Sequence, residues 1–150
     1  MLEDYVVARV KAYNSFGWAL DSQPNTGGAK IQTEPAQMAV PIYVPLESDD
    51  STIKLQIVEL ITVLETGGYA IDSYHVEYHN GLTWKTVQGG GGTDPLTYTL
   101  NTDVLIDNLT AGQSYRFRVQ AHNIHGWGLR SEELTEVVSG RPDQPSPPTV

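Results

Sequence analysis

The chain has 150 residues, with 18 acidic against 9 basic side chains for a formal charge of −9, and contains no cysteine. That charge argues against nucleic acid or an anionic membrane as partner, because phosphate binding needs basic patches. The absent thiols exclude a disulfide framework and a thiolate metal site. No apolar run is long enough to span a bilayer, so no direct membrane insertion is expected. Met1-Leu2-Glu3-Asp4 lacks the basic start and apolar centre of a secretion signal. Glycine and proline are plentiful (14 and 9) while helical periodicity is scarce, which points to an all-β chain rich in turns.

The first third of the chain repeats part of the last third. Val10, Ala12, Asn14, Gly17, Trp18, Leu20 and Ser22 match Val119, Ala121, Asn123, Gly126, Trp127, Leu129 and Ser131, always 109 positions apart (119 − 10, 131 − 22). Arg9 and Arg118 share that register. Pro35-Ala36-Gln37 matches Pro142-Asp143-Gln144 at a spacing of 107 (142 − 35), so one short indel separates the copies. Between them, Pro41-Ile42-Tyr43-Val44-Pro45 suits an edge strand, since proline cannot donate to a ladder. Glu47 to Ser51 reads as a turn. Ile53, Leu55 and Ile57 alternate with Thr52, Lys54 and Gln56, a strand with one buried face. A connection through Leu60, Ile61 and Leu64 leads past Thr66-Gly67-Gly68 to Ser73–Tyr78, where Tyr74, Val76 and Tyr78 face inward. The Asn80-Gly81 pair predicts a type I′ hairpin turn delivering a strand over Leu82–Val87. Gly89 to Gly92 form a flexible loop, and Val104, Ile106 and Leu109 belong to the next core strand.

Leu109-Thr110-Ala111-Gly112 is a tight corner. Beyond it Tyr115, Phe117, Val119 and Ala121 alternate with Arg116, Arg118, Gln120 and His122, the period of a strand with one wet face. A tyrosine at the corner can bury its ring and bond its hydroxyl back to upstream backbone, as in the tyrosine corner of immunoglobulin-like sandwiches. Asn123 and Gly126 suit the turn that follows, Leu134–Val138 supplies a last strand, and residues 142–150 form a stiff proline-rich linker.

The run Leu109-x-x-Gly112-x-x-Tyr115-x-x-x-Val119-x-Ala121-x-Asn123-x-x-Gly126-x-Gly128 resembles the end of a fibronectin type III module. The resemblance implies an all-β immunoglobulin-like sandwich of seven strands, with A, B and E facing C, C′, F and G. It makes residues 36–141 one complete module. Residues 1–35 become the C-terminal strands F and G of a preceding module, and residues 142–150 the link to a next one. The family usually carries Trp where Ile57 stands, so Leu60, Ile61 and Leu64 are candidates to fill the volume. Leu109, Gly112 and Tyr115 take the structural role of the corner.

Candidate chemistry is sparse. Gly89–Gly92 lacks the Lys-Ser/Thr and helix of a phosphate loop. Ser51-x-x-Lys54 has an acyl-enzyme spacing but lies on a strand, where positions three apart point to opposite faces. His75 and His79 are about 13 Å apart along a strand, too far to share a metal. His75 and His122 occupy outward positions on neighbouring strands and are expected side by side on a solvated face, with Glu77 and Arg118 nearby. No EF-hand loop is present. His125-Gly126-Trp127 stands where some relatives display an integrin-binding tripeptide, and it does not match one. No catalytic, cofactor-binding or metal-ligating residue is therefore expected. Trp18 and Trp127 recur at one position of the repeat, which favours packing over ligand anchoring. Asn108-Leu109-Thr110 is an N-glycosylation sequon.

The expected function is a non-catalytic structural or adhesive segment of a long extracellular or cell-surface protein, built into a filament or stalk from tandem modules. The expected partners are other copies or modules of the same protein, head-to-tail or by strand complementation through residues 1–35, because an isolated hairpin is marginal in water. Alternatives are a spacer domain of a secreted carbohydrate-active enzyme or receptor, and an intracellular scaffold.

Overall fold

The computed structural model describes residues 4–90 and 98–139. Its longest strand is β8 (Ser114–Asn123), and the alternation read from the sequence decides how it sits. Tyr115, Phe117, Val119 and Ala121 are buried, with Phe117 fully enclosed. On one side β8 pairs antiparallel with β5 (Ser73–His79), Val119 opposite Val76 and Phe117 opposite Tyr78. On the other it pairs with β10 (Leu134–Val137) and, past a tight turn, with the short β9 (Gly126–Trp127). β6 (Trp84–Gln88) closes this sheet, giving the order β10-β8-β5-β6. The second sheet runs β3 (Ile42–Tyr43), β4 (Ile53–Gln56), β7 (Asp103–Ile106), with the proline-flanked β3 at its edge as expected.

These are the A-B-E and G-F-C-C′ sheets that the resemblance implied. Their inner faces meet in one core: Ile53, Leu55 and Ile57 from one side of the sandwich, Val104 and Ile106 from β7, and Tyr74, Val76 and Phe117 from the facing sheet. Two backbone groups tie the corner to the rest. Leu109 N donates to Ser51 O at 2.9 Å and Gly112 N to Val138 O at 2.8 Å. Gly112 has φ +76°, a conformation that favours glycine.

Several local expectations need correction. Of the residues expected to fill the space left by Ile57, only Leu60 packs against the core; Ile61 and Leu64 are 79% and 71% exposed. Met38, from the segment before β3, is buried in the core instead. Ile61 and Leu64 turn outward because the connection folds into a one-turn helix, α1 (Val63–Thr66). The Asn80-Gly81 turn is not type I′, which needs positive φ at both central residues. Gly81 has φ +93°, but Asn108 (φ +56°) is the one non-glycine residue with positive φ among the described residues. The connection is four residues long, with His79 opposite Trp84. It is closed by Asn80 Oδ1, which accepts from Leu82 N and Thr83 N. The expected turn at Glu47 begins earlier, as a 3-10 turn over Pro45–Glu47. Gly91 and Gly92 of the expected glycine loop lie outside the described residues, as does the 142–150 linker.

Residues 4–31 form a separate antiparallel hairpin. It contains β1 (Tyr13–Asn14) and β2 (Gly17–Trp18), extended by bonds from Ala19 N to Ala12 O, Ser22 N to Val10 O, Asn25 N to Ala8 O, Val6 N to Ala29 O and Ile31 N to Asp4 O.

Candidate functional site

Three places gather side chains with specific work: the segment entering the sandwich, the outer face of the five-stranded sheet, and the corner before β8. The entering segment is seated by two loops. Thr62 caps α1: Glu65 N donates to Thr62 Oγ1 at 3.3 Å while Thr62 N donates to Glu65 Oε2 at 2.8 Å, a reciprocal capping box. Those bonds hold the Glu65 carboxyl below its ordinary pKa. Gly67 then ends the helix in the left-handed region (φ +70°). A β-carbon there would collide with the carbonyl oxygens of Thr33 and Glu34, so only glycine lets the incoming chain lie so close.

Carbonyls of α1 and of the two glycines after it are then used. Ala36 N donates to Glu65 O at 2.8 Å, Thr33 N to Gly67 O at 2.9 Å, and Gln32 Nε2 to Gly68 O at 2.6 Å. From the other side Asn123, fully buried, donates from Nδ2 to Thr33 O (2.8 Å) and to Thr66 O (2.9 Å), bridging linker and helix. Its Oδ1 accepts from His125 N at 2.8 Å and shapes the turn. Gly128 completes the seat, since a β-carbon there would meet Pro35 O. Gln37 Nε2 donates to Arg130 O at 2.8 Å. Beside the seat the Glu34 carboxyl is held below its ordinary pKa by the Thr33 hydroxyl, its own backbone N–H and nearby His125.

The outer sheet face is a stacked polar layer. Arg118 lies over Trp84, its guanidinium carbon 3.6 Å from the ring centroid, with Arg116 over the same ring at 5.6 Å. Glu77 Oε2 accepts from Arg118 Nε and Arg130 Nε, both at 2.8 Å. Burial pushes the Glu77 carboxyl up, but the bonds from Arg130 and Arg118 outweigh it and hold it below its ordinary range. His75 and His122 are not side by side as expected. His75 stands opposite Gln120 and His122 opposite Ser73. His75 is buried, not solvated, with one ring nitrogen 3.1 Å from Thr86 Oγ1 and the other 3.0 Å from Gln120 Nε2. Burial pushes it below the usual histidine pKa, against the pull of Glu77. What joins the two histidines is Trp127, whose ring lies 5.5 Å from His75 and 4.6 Å from His122. His122 Nδ1 is in turn 2.7 Å from Asp72 Oδ1.

At the corner, Tyr115 is buried and its hydroxyl accepts from Thr110 N at 3.1 Å. Leu109 is buried as well. Asn108 is exposed at the preceding turn, its amide donating to Asp107 Oδ1. Ser51 and Lys54 serve local structure: Ser51 Oγ donates to Asp49, and Lys54 Nζ reaches Glu47 at 3.3 Å.

The sequence repeat is also a repeat of hydrogen bonds. Ser131 N donates to Val119 O at 2.7 Å and Ser131 Oγ accepts from Val119 N at 3.0 Å; Ser22 does the same with Val10 at 2.9 and 3.0 Å. Gly128 N donates to Ala121 O as Ala19 N donates to Ala12 O. His125 N donates to Asn123 Oδ1 as Phe16 N donates to Asn14 Oδ1. The copies differ in cover. Val119 is 1% exposed and its counterpart Val10 is 76% exposed. Trp127 is half-buried against the sheet, whereas Trp18 is 66% exposed and touches Tyr13.

Sequence reasoning missed the seat itself. It read Asn123 as a turn residue, although its recurrence as Asn14 was visible. It passed over Thr62-x-x-Glu65, a capping-box spacing followed by two glycines. Arg130 lies on irregular chain between β9 and β10, where no periodicity could assign it.

A family model described as fibronectin type III domain matches residues 58–137. No curated protein matches the chain by sequence. Among solved structures, the sixth fibronectin type III domain of human fibronectin type III domain containing protein 3 is 17% identical with a TM-score of 0.57, covering 82% of this chain and 100% of that one. A fourth human FNIII domain gives 20% identity and a TM-score of 0.60, covering 82% of this chain and 94% of that one. Titin domains A168–A170 give 22% identity and a TM-score of 0.55, over 93% of this chain and 42% of that structure. These likenesses establish the fold.

Proposed function

Because the chain belongs to the fibronectin type III family, we propose that it is a non-catalytic structural segment of a tandem array, part of a filament or stalk in a long extracellular or cell-surface protein. The observation that carries this reading is the duplicated hydrogen-bond pattern. Residues 4–31 carry, between Val10 and Ser22, the same bonds as the β8–β9 hairpin of the sandwich and its continuation to Ser131. They are the F and G strands of a preceding module. Val6, Ala8, Val10 and Ala12 occupy the positions of Tyr115, Phe117, Val119 and Ala121, which the sandwich buries completely or nearly so. A lone hairpin has no core to stand on. Strands A to E of that module therefore come from sequence before this segment or from a neighbouring copy. The exposed sequon at Asn108 supports the extracellular assignment.

Hydrogen exchange on the 150-residue chain tests the array. The amides of Val10 and Ser22 are expected to exchange freely in the monomer and to gain protection only on association or in a chain that includes the missing strands. A strict monomer with those amides protected refutes it. Intact mass of native material, before and after glycosidase, tests the compartment through Asn108; an unmodified Asn108 in secreted material removes that support.

A further inference from the structure

The first hairpin and the sandwich are joined without a free hinge. Ile31 N is still bonded to Asp4 O within the hairpin, and Thr33 N is already bonded to Gly67 O in the sandwich. One residue lies between them, so the two Cα atoms are at most about 7 Å apart. That residue, Gln32, is itself held, with Nε2 on Gly68 O and Oε1 3.3 Å from His125 Nε2. His125 packs edge-on against Tyr69 at 5.9 Å.

We propose that α1 with Gly67–Gly68 and the Asn123–Gly128 turn form a socket for the outgoing strand of another module of the same kind, locking adjoining modules at a fixed angle. This rests on the reading that residues 4–31 end such a module. The recognition is mostly of backbone. Asn123 reads the Thr33 carbonyl, the Gly67 and Glu65 carbonyls take the Thr33 and Ala36 amides, and Gly67 and Gly128 clear the path. A seat of that kind accepts a linker through its extended conformation, and the Pro35-Ala36-Gln37 that leads through it recurs as Pro142-Asp143-Gln144, two residues nearer its own hairpin. Val63, Leu64, Tyr69 and Ile124 stand exposed on the same two loops. The socket also recurs with one change. Asn14 and Gly17 repeat Asn123 and Gly126, but Ala19 stands at the position of Gly128. Its β-carbon forbids the close approach made by Pro35, so the joint one module upstream differs in geometry.

The test is amide exchange and 15N relaxation on the 150-residue chain, wild type against Asn123→Ala. In the wild type, Thr33 and Ala36 are expected to exchange on the order of 100-fold more slowly than an unstructured chain, and residues 32–36 to tumble with the sandwich. Asn123→Ala is expected to speed Thr33 and Ala36 about tenfold or more while the Phe117 amide keeps its protection. If that variant unfolds the sandwich, Gln32→Ala decides instead, with faster exchange at Thr33 expected and unchanged exchange counting against the socket. Unprotected Thr33 and Ala36 in a wild type whose Phe117 is protected overturn the proposal. The hairpin reading is scored separately, by Val10 and Ser22. Those amides can exchange freely while the socket still holds.

Discussion

One serine, present twice, separates what local pairing contributes from what burial contributes. In the sandwich Ser131 Oγ accepts the Val119 N–H and donates to Glu132 O at 2.8 Å, and both Ser131 and Val119 are buried. Ser131→Ala removes the acceptor, and water cannot reach the Val119 amide to replace it. Leaving a buried donor unsatisfied costs about 1–3 kcal/mol. With a urea dependence of about 1–3 kcal/mol per molar for a domain of this size, the unfolding midpoint should fall by on the order of 1 M. Ser22→Ala makes the same deletion opposite Val10, which is 76% exposed. There water takes over the amide, and the cost should stay within about 0.5 kcal/mol, as for ordinary surface substitutions. The assay is urea unfolding followed by tryptophan fluorescence, with amide exchange at Phe117 confirming that the transition is that of the sandwich. Equal midpoints for wild type and Ser131→Ala would refute the argument, as would equal losses for the two variants. In a chain that includes the missing strands, the Ser22→Ala cost should rise to the Ser131→Ala level.

Tyr115→Phe should cost about 1 kcal/mol, the usual net worth of a buried hydrogen bond, because it leaves Thr110 N without its acceptor; an unchanged urea midpoint would count against a stabilising corner. Stability should fall on the acid side in two windows. His75 is held below the usual histidine value, so the unfolded chain takes up the proton first: the His75 contribution is complete above about pH 6.5 and is lost as pH falls towards its folded value. Glu77 is also lowered, so its contribution is present above the unfolded carboxylate value of about 4.3 and disappears as pH falls through the folded one. Urea midpoints measured from pH 8 to pH 3 should show both slopes, and His75→Gln should flatten the upper one; a His75→Gln profile parallel to wild type would show that another group titrates there.

The strands were legible wherever the period of two was strict. Tyr115 to Ala121, Ile53 to Ile57 and Val104 to Ile106 face inward as their alternation requires. The repeat was legible too, because one offset joined many identities, and the shared bonds at Ser22 and Ser131 follow it. Features that depend on neighbours distant in sequence were not legible. Nothing local says that His75 sits under Trp127, or that Asn123 reaches a carbonyl 90 residues away. The Asn80-Gly81 pair shows the limit of turn chemistry: the dipeptide favours one geometry, but the registry of β5 against β6 demands a longer connection, and Asn80 closes it with its side chain. Ile61 and Leu64 misled for a related reason. Their apolar character suggested core, whereas the capping box of Thr62 and Glu65 fixes a helix that turns both outward, beside the seat of the incoming chain.

The two tryptophans make the same cross-strand contact in the two copies. Trp127 stands opposite His122 across the β8–β9 ladder and packs on its ring; Trp18 stands opposite Tyr13 across β1–β2 and packs on that ring at 4.8 Å. Tyr13 and His122 occupy the same repeat position with different chemistry, so the tryptophan is not matched to one partner. It supplies a cross-strand aromatic contact worth about 0.5–1.5 kcal/mol beyond its burial, and it does so in a hairpin whose inner face lacks a core. The asparagine turn, the serine bond and the tryptophan stack are all local to about a dozen residues. They specify the register in which the two strands pair, without by themselves making the hairpin stable.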